Sequence, residues 1–209
     1  MGETFILKNP KYITQGETGN IIVASYIGKP SKGLDYYHEQ QEKLLALYGN
    51  PIQGLWFEKN RGDAVREYYI RKHKTYLLCH TPQRVTTSNI YQRTMQSYGF
   101  VIGNKISKIA NLKLLHDWLL EETTFTVNGI TETKLNIQRI PCIFLIRQIM
   151  QYTLDDNFDA VSAMLGCIIG LRENQNLEED IRRSNSNKKN IFAGILNNKK
   201  IYRNARLTR

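Results

Sequence analysis

The stretch IIVASYIGKPSKGLDYYHEQQEKLLALYGNPIQGLWFEKNRGD, residues 21–63, decides the fold class. Residues 20–27 are rich in β-branched side chains and stop at a Gly-Lys-Pro turn, which predicts a strand. Apolar residues then recur at helical spacing from Leu34 to Tyr48, and the following Gly-Asn-Pro predicts the helix end. The mostly apolar run 54–58 predicts the next strand. Strands that alternate with helices indicate an α/β fold with parallel members in its sheet.

The flanking sequence extends this pattern in both directions. Upstream, the apolar run Phe5–Leu7 ends at Asn9-Pro10 and predicts a strand that forms a hairpin with residues 20–27. Downstream, the patterns predict helices at 63–74, 105–122, 140–152 and 158–171, a strand at 76–79, and a small strand pair around Asn128-Gly129. We therefore expect one folded domain at 1–173 and a basic, Asn- and Lys-rich C-terminal tail at 174–209.

The charge of the chain favours a polyanionic partner. Its 29 Lys and Arg against 19 Asp and Glu leave a net charge of +10, which indicates nucleic acid or an anionic membrane surface. No apolar run is long enough to cross a bilayer, so we expect no membrane partner. From Arg182 to Arg209 the chain has nine basic residues and no acidic one, which predicts either a solubilising tail or a binding segment.

Several chemistries are not supported by the sequence. The three cysteines lack CxxC spacing and zinc-ligand spacing with the four histidines, which indicates a reducing compartment and buried, apolar thiols. No phosphate-binding loop, dinucleotide fingerprint or nucleophile elbow is present. The pairs Tyr36-Tyr37 and Tyr68-Tyr69 can stack on bases, but at helical positions we expect them in the core or at its rim.

Two acidic positions are candidates for metal chemistry. Glu58 ends an apolar strand, where an unpaired carboxylate is costly and where α/β sheets bind ligands. A salt bridge to Lys59 or Arg61 is the alternative. Asp159 leads an otherwise apolar stretch, whereas the helix dipole alone explains Asp155 or Asp156. If Glu58 and Asp159 meet, their oxygens make a site for Mg²⁺ or Mn²⁺.

These segments resemble the nuclease domain of tailed-phage large terminase subunits. Residues 21–63 are similar to the family's strand, Gly-x-Pro turn, helix and Glu-x-Asn strand, here Glu58-Lys59-Asn60. RIPCIFLIRQIMQYTLDDNFDAVSAMLGCIIGL, residues 139–171, resembles the family's last motif, with Asp159 as its acid and Asp156 as a helper. The NFDAVSA form looks most like terminases of crAss-like phages.

The resemblance implies an RNase H-like fold, a mixed central sheet flanked by helices. It implies a two-metal endonuclease that cuts concatemeric double-stranded viral DNA when packaging starts and ends. Glu58, Asp159 and position 9 would be the metal ligands, with Asp156 beside them. Asn9 stands where the family has aspartate, and it offers an oxygen without a charge. It is an inactivating substitution, a natural degeneration or a misalignment of the first strand, and restoring aspartate is expected to raise cleavage.

The resemblance also implies partners and a location. We expect double-stranded DNA, the portal protein and the small terminase subunit as partners, an ATPase motor domain in the full-length chain, and a site of action in the host cytoplasm rather than the mature virion. The expected DNA-binding residues are Lys105, Lys108, Arg182, Arg183, Lys188 and Lys189. The alternatives are a weakened or inactive DNA- or portal-binding module, and another RNase H-like nuclease such as a resolvase.

Overall fold

The computed structural model describes residues 2–9, 19–28, 33–48, 54–59, 63–82, 98–101, 105–154, 156, 158–176, 179 and 182. The chain divides into two compact units, Met1–Leu171 and Arg172–Arg209, close to the boundary predicted after residue 173. The described residues form a mixed α/β structure, which confirms the coarse fold class. Every described helix is too short or too polar to span a bilayer.

Nine helices and strands make up the described part of the chain. In chain order they are β1 (Gly2–Lys8), β2 (Ile21–Gly28), α1 (Leu34–Tyr48), α2 (Asp63–Arg71), α3 (Lys105–Leu120), β3 (Glu122–Val127), β4 (Ile130–Leu135), α4 (Ile143–Gln151) and α5 (159–176). Helix α5 belongs to the first unit as far as Leu171. Short 3₁₀ turns lie at Thr75–Leu77 and Asn136–Arg139.

The predicted N-terminal hairpin is confirmed. Strands β1 and β2 pair antiparallel, with a register irregularity between Ile6 and Leu7. One face of β1 meets α1 so closely that a Cβ on Gly2 would lie 2.6 Å from the Tyr37 ring. The other face meets α5, where the Cys167 thiol donates to the carbonyl of Phe5 at 3.4 Å. The hairpin therefore lies between these two helices.

The predicted parallel pairing is present only as short bridges. Residues 54–59, here called the Trp56 segment, form parallel bridges from Leu55 to Leu78 and from Glu58 to Phe100. The strand predicted at 76–79 is wrong over its first half, because residues 75–77 turn as a 3₁₀ helix and only Leu78 continues as a bridge. A tightly wound turn leaves its backbone no extended edge for a neighbouring strand.

Two glycines let α5 pack closely against the Trp56 segment and its neighbour. A Cβ on Gly166 would lie 2.6 Å from the Phe100 ring, and a Cβ on Gly170 would collide with Trp56. The core that forms there includes the fully buried Met164 and Ile168. Each such side chain contributes about 1.5–3 kcal/mol on burial. The four-residue spacing places both glycines on one face of α5, where the rings of Phe100 and Trp56 pack against them.

The tyrosine pair on α2 belongs to a second cluster. Tyr68 and Tyr69 are 2% and 0% exposed and pack with Leu55, Phe57 and Leu78. This burial confirms that the pair is part of the core and leaves neither ring available for stacking on bases.

The remaining predictions differ from the structure mainly at helix ends. The β3–β4 hairpin turns at Asn128 and Gly129, whose φ values of 53° and 80° suit the predicted tight turn. Helix α4 begins at Ile143 rather than at Ile140. Pro141 explains the difference, because the residue before a proline is held out of the helical region and Ile140 is extended at ψ 113°.

Candidate functional site

Asp159 begins helix α5 and is held there by a neighbouring helix. The backbone N–H of Ala160 donates to Oε1 of Gln148 on α4 at 2.9 Å. The first N–H groups of a helix have no partner within the helix, so this side chain acts as a cap. Asp159 is half-buried beside the buried Ala160 and Val161. The predicted acid thus lies at a fixed helix start.

Asp156 has a local structural partner. The Thr153 hydroxyl donates to its carboxylate at 2.7 Å, and its own backbone N–H donates back to that hydroxyl at 3.3 Å. These two hydrogen bonds close a turn in the connection before α5, and Asp156 is exposed there. The arrangement accounts for Asp156 without a metal.

Glu3 is an acidic residue that the sequence patterns did not reveal. Both of its carboxylate oxygens are buried, and neither makes a hydrogen bond of normal geometry with a described residue. Burial, followed by the nearby charge of Asp159, raises the pKa of Glu3 to about 7, while the chain's amino terminus and the amide of Gln148 partly offset this. The charge of Asp159 therefore acts on the buried carboxyl of Glu3.

One signal in the sequence points to Glu3. Alternate residues of a strand face the same side, so Glu3 shares its face with Phe5 and Leu7. Both of these belong to the core beneath α5. A glutamate in register with two core residues is a candidate for a buried carboxylate.

Asn9 lies at the other end of the same strand. It follows β1 six residues after Glu3, which is about 20 Å along the strand. Cations such as Mg²⁺ bind oxygens at about 2.0–2.6 Å. Because Glu3 is the end of β1 close to Asp159, the structure does not bring Asn9 to Asp159. The expected role of Asn9 as a metal ligand stays a prediction, which this placement makes testable.

Glu58 lies on a segment that runs toward the end of α5 where Asp159 is found. Trp56 and Glu58 are two residues apart and so share a face, and Trp56 packs against Gly170. Phe100, the bridge partner of Glu58, packs against Gly166. The Trp56 segment therefore runs toward the N-terminal end of α5. Of its suggested salt-bridge partners, Arg61 lies outside the described residues.

Glu3 and Asp159 offer the oxygen ligands that a divalent cation prefers, but the described residues do not form a complete set of ligands around one point. Carboxylate oxygens are the ligands that Mg²⁺ and Mn²⁺ prefer. The buried oxygens of Glu3, on which the charge of Asp159 acts, fit a positive counter-ion. Among the residues that the structure describes, however, no three Asp, Glu, His or Cys side chains are grouped closely enough to hold a metal. The described site is thus a carboxylate pair, with Glu58 outside it.

The predicted DNA-binding residues are only partly described. The Lys108 ammonium donates to the carbonyl of Leu154 and lies 5.7 Å from the centre of the Tyr152 ring, so it has internal partners. Arg182, in the second unit, is exposed. The side chain of Lys105 and the whole of Arg183, Lys188 and Lys189 lie outside the described residues.

Comparisons of this chain with protein-family models, with curated proteins and with solved structures found no match. The fold established for the described residues is mixed α/β.

Proposed function

We propose that this protein is the metal-dependent endonuclease domain of a phage DNA-packaging terminase, with an RNase H-like arrangement of sheet and helices. One observation carries the proposal: the carboxylate oxygens of Glu3 are buried, and the charge of Asp159, at the start of α5, acts on them. Glu58 is on the strand segment that runs toward the same end of that helix. Acids from separate strands and a helix form the donor set of a metal-dependent nuclease when they meet around the metal ions, and the proposal requires Glu58 to join Glu3 and Asp159 there.

In this proposal the acids have distinct roles. Asp159 and Glu58 hold the metal ions. The third ligand is the carboxylate of Glu3 rather than the amide of Asn9. Bound Mg²⁺ or Mn²⁺ would supply an activated water and a counter-charge for the leaving 3′-oxygen. Gln148 caps the start of α5 through the backbone N–H of Ala160, next to Asp159.

The substrate in this proposal is double-stranded DNA. A net charge of +10 favours contacts with the phosphate backbone, which are independent of sequence and sensitive to salt. The exposed Arg182 belongs to the basic second unit, which would bind DNA or the portal. In the full protein, an ATPase motor domain, the portal and the small terminase subunit would complete the packaging machine in the host cytoplasm.

The first experiment is cleavage of supercoiled plasmid with Mg²⁺ or Mn²⁺. Glu58→Ala and Asp159→Ala are each expected to abolish nicking and linearisation, and Glu3→Gln to reduce them. Asp117→Asn, at an exposed position on α3, is the matched control and is expected to cut like the parent. Cleavage that survives both alanine substitutions would overturn the proposal.

A non-catalytic binding module is the second candidate. It is favoured by the lack, among the described residues, of a three-ligand metal group. A parent that binds duplex DNA but never cuts it with either metal would establish this alternative. Another RNase H-like nuclease, such as a resolvase, would instead cut branched DNA in preference to linear duplex.

A further inference from the structure

Lys108 is fixed to the chain segment that leads into the candidate site. It lies half-buried on α3, and its ammonium donates to the carbonyl of Leu154. The same ammonium lies 5.7 Å from the centre of the Tyr152 ring, within the range of a cation–π interaction. Both partners belong to the connection between α4 and α5, so one side chain of α3 binds this connection at two points.

Through the connection between α4 and α5, the contacts of Lys108 also restrain the position of Asp159. The rings of Tyr152 and Phe158 are 5.1 Å apart, and Phe158 immediately precedes Asp159. The hydrogen bonds between Thr153 and Asp156 close the turn between them. The backbone before α5 is thus held by Lys108 at its start and by the ring pair at its end.

We propose that Lys108 is a positioning residue that orients Asp159, and that it is not a contact to DNA phosphate. The inference rests on the proposed function, because it takes Asp159 to be the acid that matters for cleavage. The ammonium of this half-buried side chain already has a carbonyl and an aromatic face as partners within the protein, which favours an internal role over a contact with phosphate. Loss of Lys108 should therefore disturb the start of α5 more than it disturbs DNA affinity.

The test compares three variants with the parent by single-turnover cleavage and by equilibrium binding of duplex DNA. Lys108→Met is expected to slow the cleavage step by about 10- to 100-fold, because small displacements of a catalytic group have effects of that size. Its dissociation constant for DNA should stay within about twofold of the parent value. Lys108→Arg should restore most of the rate, because guanidinium can donate to a carbonyl and stack on a ring.

Lys113→Met is the matched control, since Lys113 is an exposed lysine on the same helix. It should cut and bind like the parent. A Lys108→Met variant that binds DNA more weakly, with a salt dependence reduced by about one phosphate contact, would identify Lys108 as a DNA contact instead. Parent-like cleavage by Lys108→Met would also overturn the proposal.

Hydrogen exchange separates this inference from the proposed function. The backbone amides of residues 158–161 should exchange faster in Lys108→Met than in the parent, and should not change in Lys113→Met. This readout needs no nuclease activity. A parent that never cuts DNA would defeat the proposed function, whereas unchanged exchange in Lys108→Met would defeat the positioning role.

Discussion

Glu3 and Asp159 lie near opposite ends of the sequence of the first structural unit, yet the charge of Asp159 helps to raise the pKa of the buried Glu3 carboxyl. Neither carboxylate oxygen of Glu3 makes a hydrogen bond of normal geometry with a described residue, and the amide of Gln148 offsets the rise of the pKa only in part. Two acids whose charges act on each other repel when both are ionised, so a bound proton or a bound cation stabilises them.

Replacement of Glu3 by glutamine is expected to stabilise the protein in alkaline solution. The pKa of Glu3 is raised from 4.5 to about 7 in the folded state, so the unfolded chain ionises first as pH rises. Parent stability should fall between about pH 4.5 and 7 and then level off. After a discount for partial solvent screening, Glu3→Gln should be about 1–2 kcal/mol more stable than the parent at pH 8, and similar to it at pH 4.

Urea unfolding at both pH values measures this difference. Glu122→Gln, at an exposed glutamate on β3, is the control and should follow the parent at each pH. Equal stability of Glu3→Gln and the parent at pH 8 would mean that Glu3 is not buried beside a second charge.

Divalent cations are expected to stabilise the folded parent at pH 8. A ligand that binds only the folded state adds about 1.4 kcal/mol when its concentration is ten times the dissociation constant. Asp159→Asn should remove most of this gain, because the remaining carboxylate makes a weaker site. Thermal unfolding with and without Mn²⁺ measures both effects, and Ca²⁺ serves as a second oxygen-binding cation. An equal rise of Tm in parent and variant would mean that the cation binds at a site that does not include Asp159.

An aspartate at position 9 is expected to leave cleavage unchanged. The family resemblance by itself suggests the opposite, that Asn9→Asp restores a lost ligand. The structure separates position 9 from Glu3 by about 20 Å of strand, so an added charge there should not reach the metal site. Plasmid cleavage by Asn9→Asp and by the parent decides between the two expectations. A clear increase would show that β1 contributes its far end to the active site.

Alanine at position 166 is expected to destabilise the protein. Glycine to alanine in a helix interior normally stabilises by about 0.8–1 kcal/mol. Here the added Cβ would meet the Phe100 ring at 2.6 Å, so the sign should reverse to a loss of about 1–3 kcal/mol. Ser162→Ala, on the same helix, should change stability by no more than about 0.5 kcal/mol. Chemical unfolding of both variants tests whether α5 lies this close to its neighbours.

Most of the local structure follows from short patterns in the chain. The bounds of α1 and the turn at Asn128-Gly129 were predicted from helical spacing and from turn chemistry. The strand expected at 76–79 was not observed as such, since residues 75–77 wind into a 3₁₀ turn that periodicity does not distinguish from a short apolar strand. The start of α4 was placed three residues early, at a boundary that Pro141 controls.

The sequence by itself determined the mixed α/β class, the hairpin and the order of the helices, because these depend on side chains only a few residues apart. It also singled out Asp159 and Glu58 as acids at the edges of apolar segments. Only the tertiary structure decided which acids meet: it placed Glu3 beside Asp159 and Asn9 at the far end of β1. The physical reason is that α5 contacts β1 through residues far apart in the chain, such as Cys167 and Phe5. Local sequence patterns do not predict contacts of this kind.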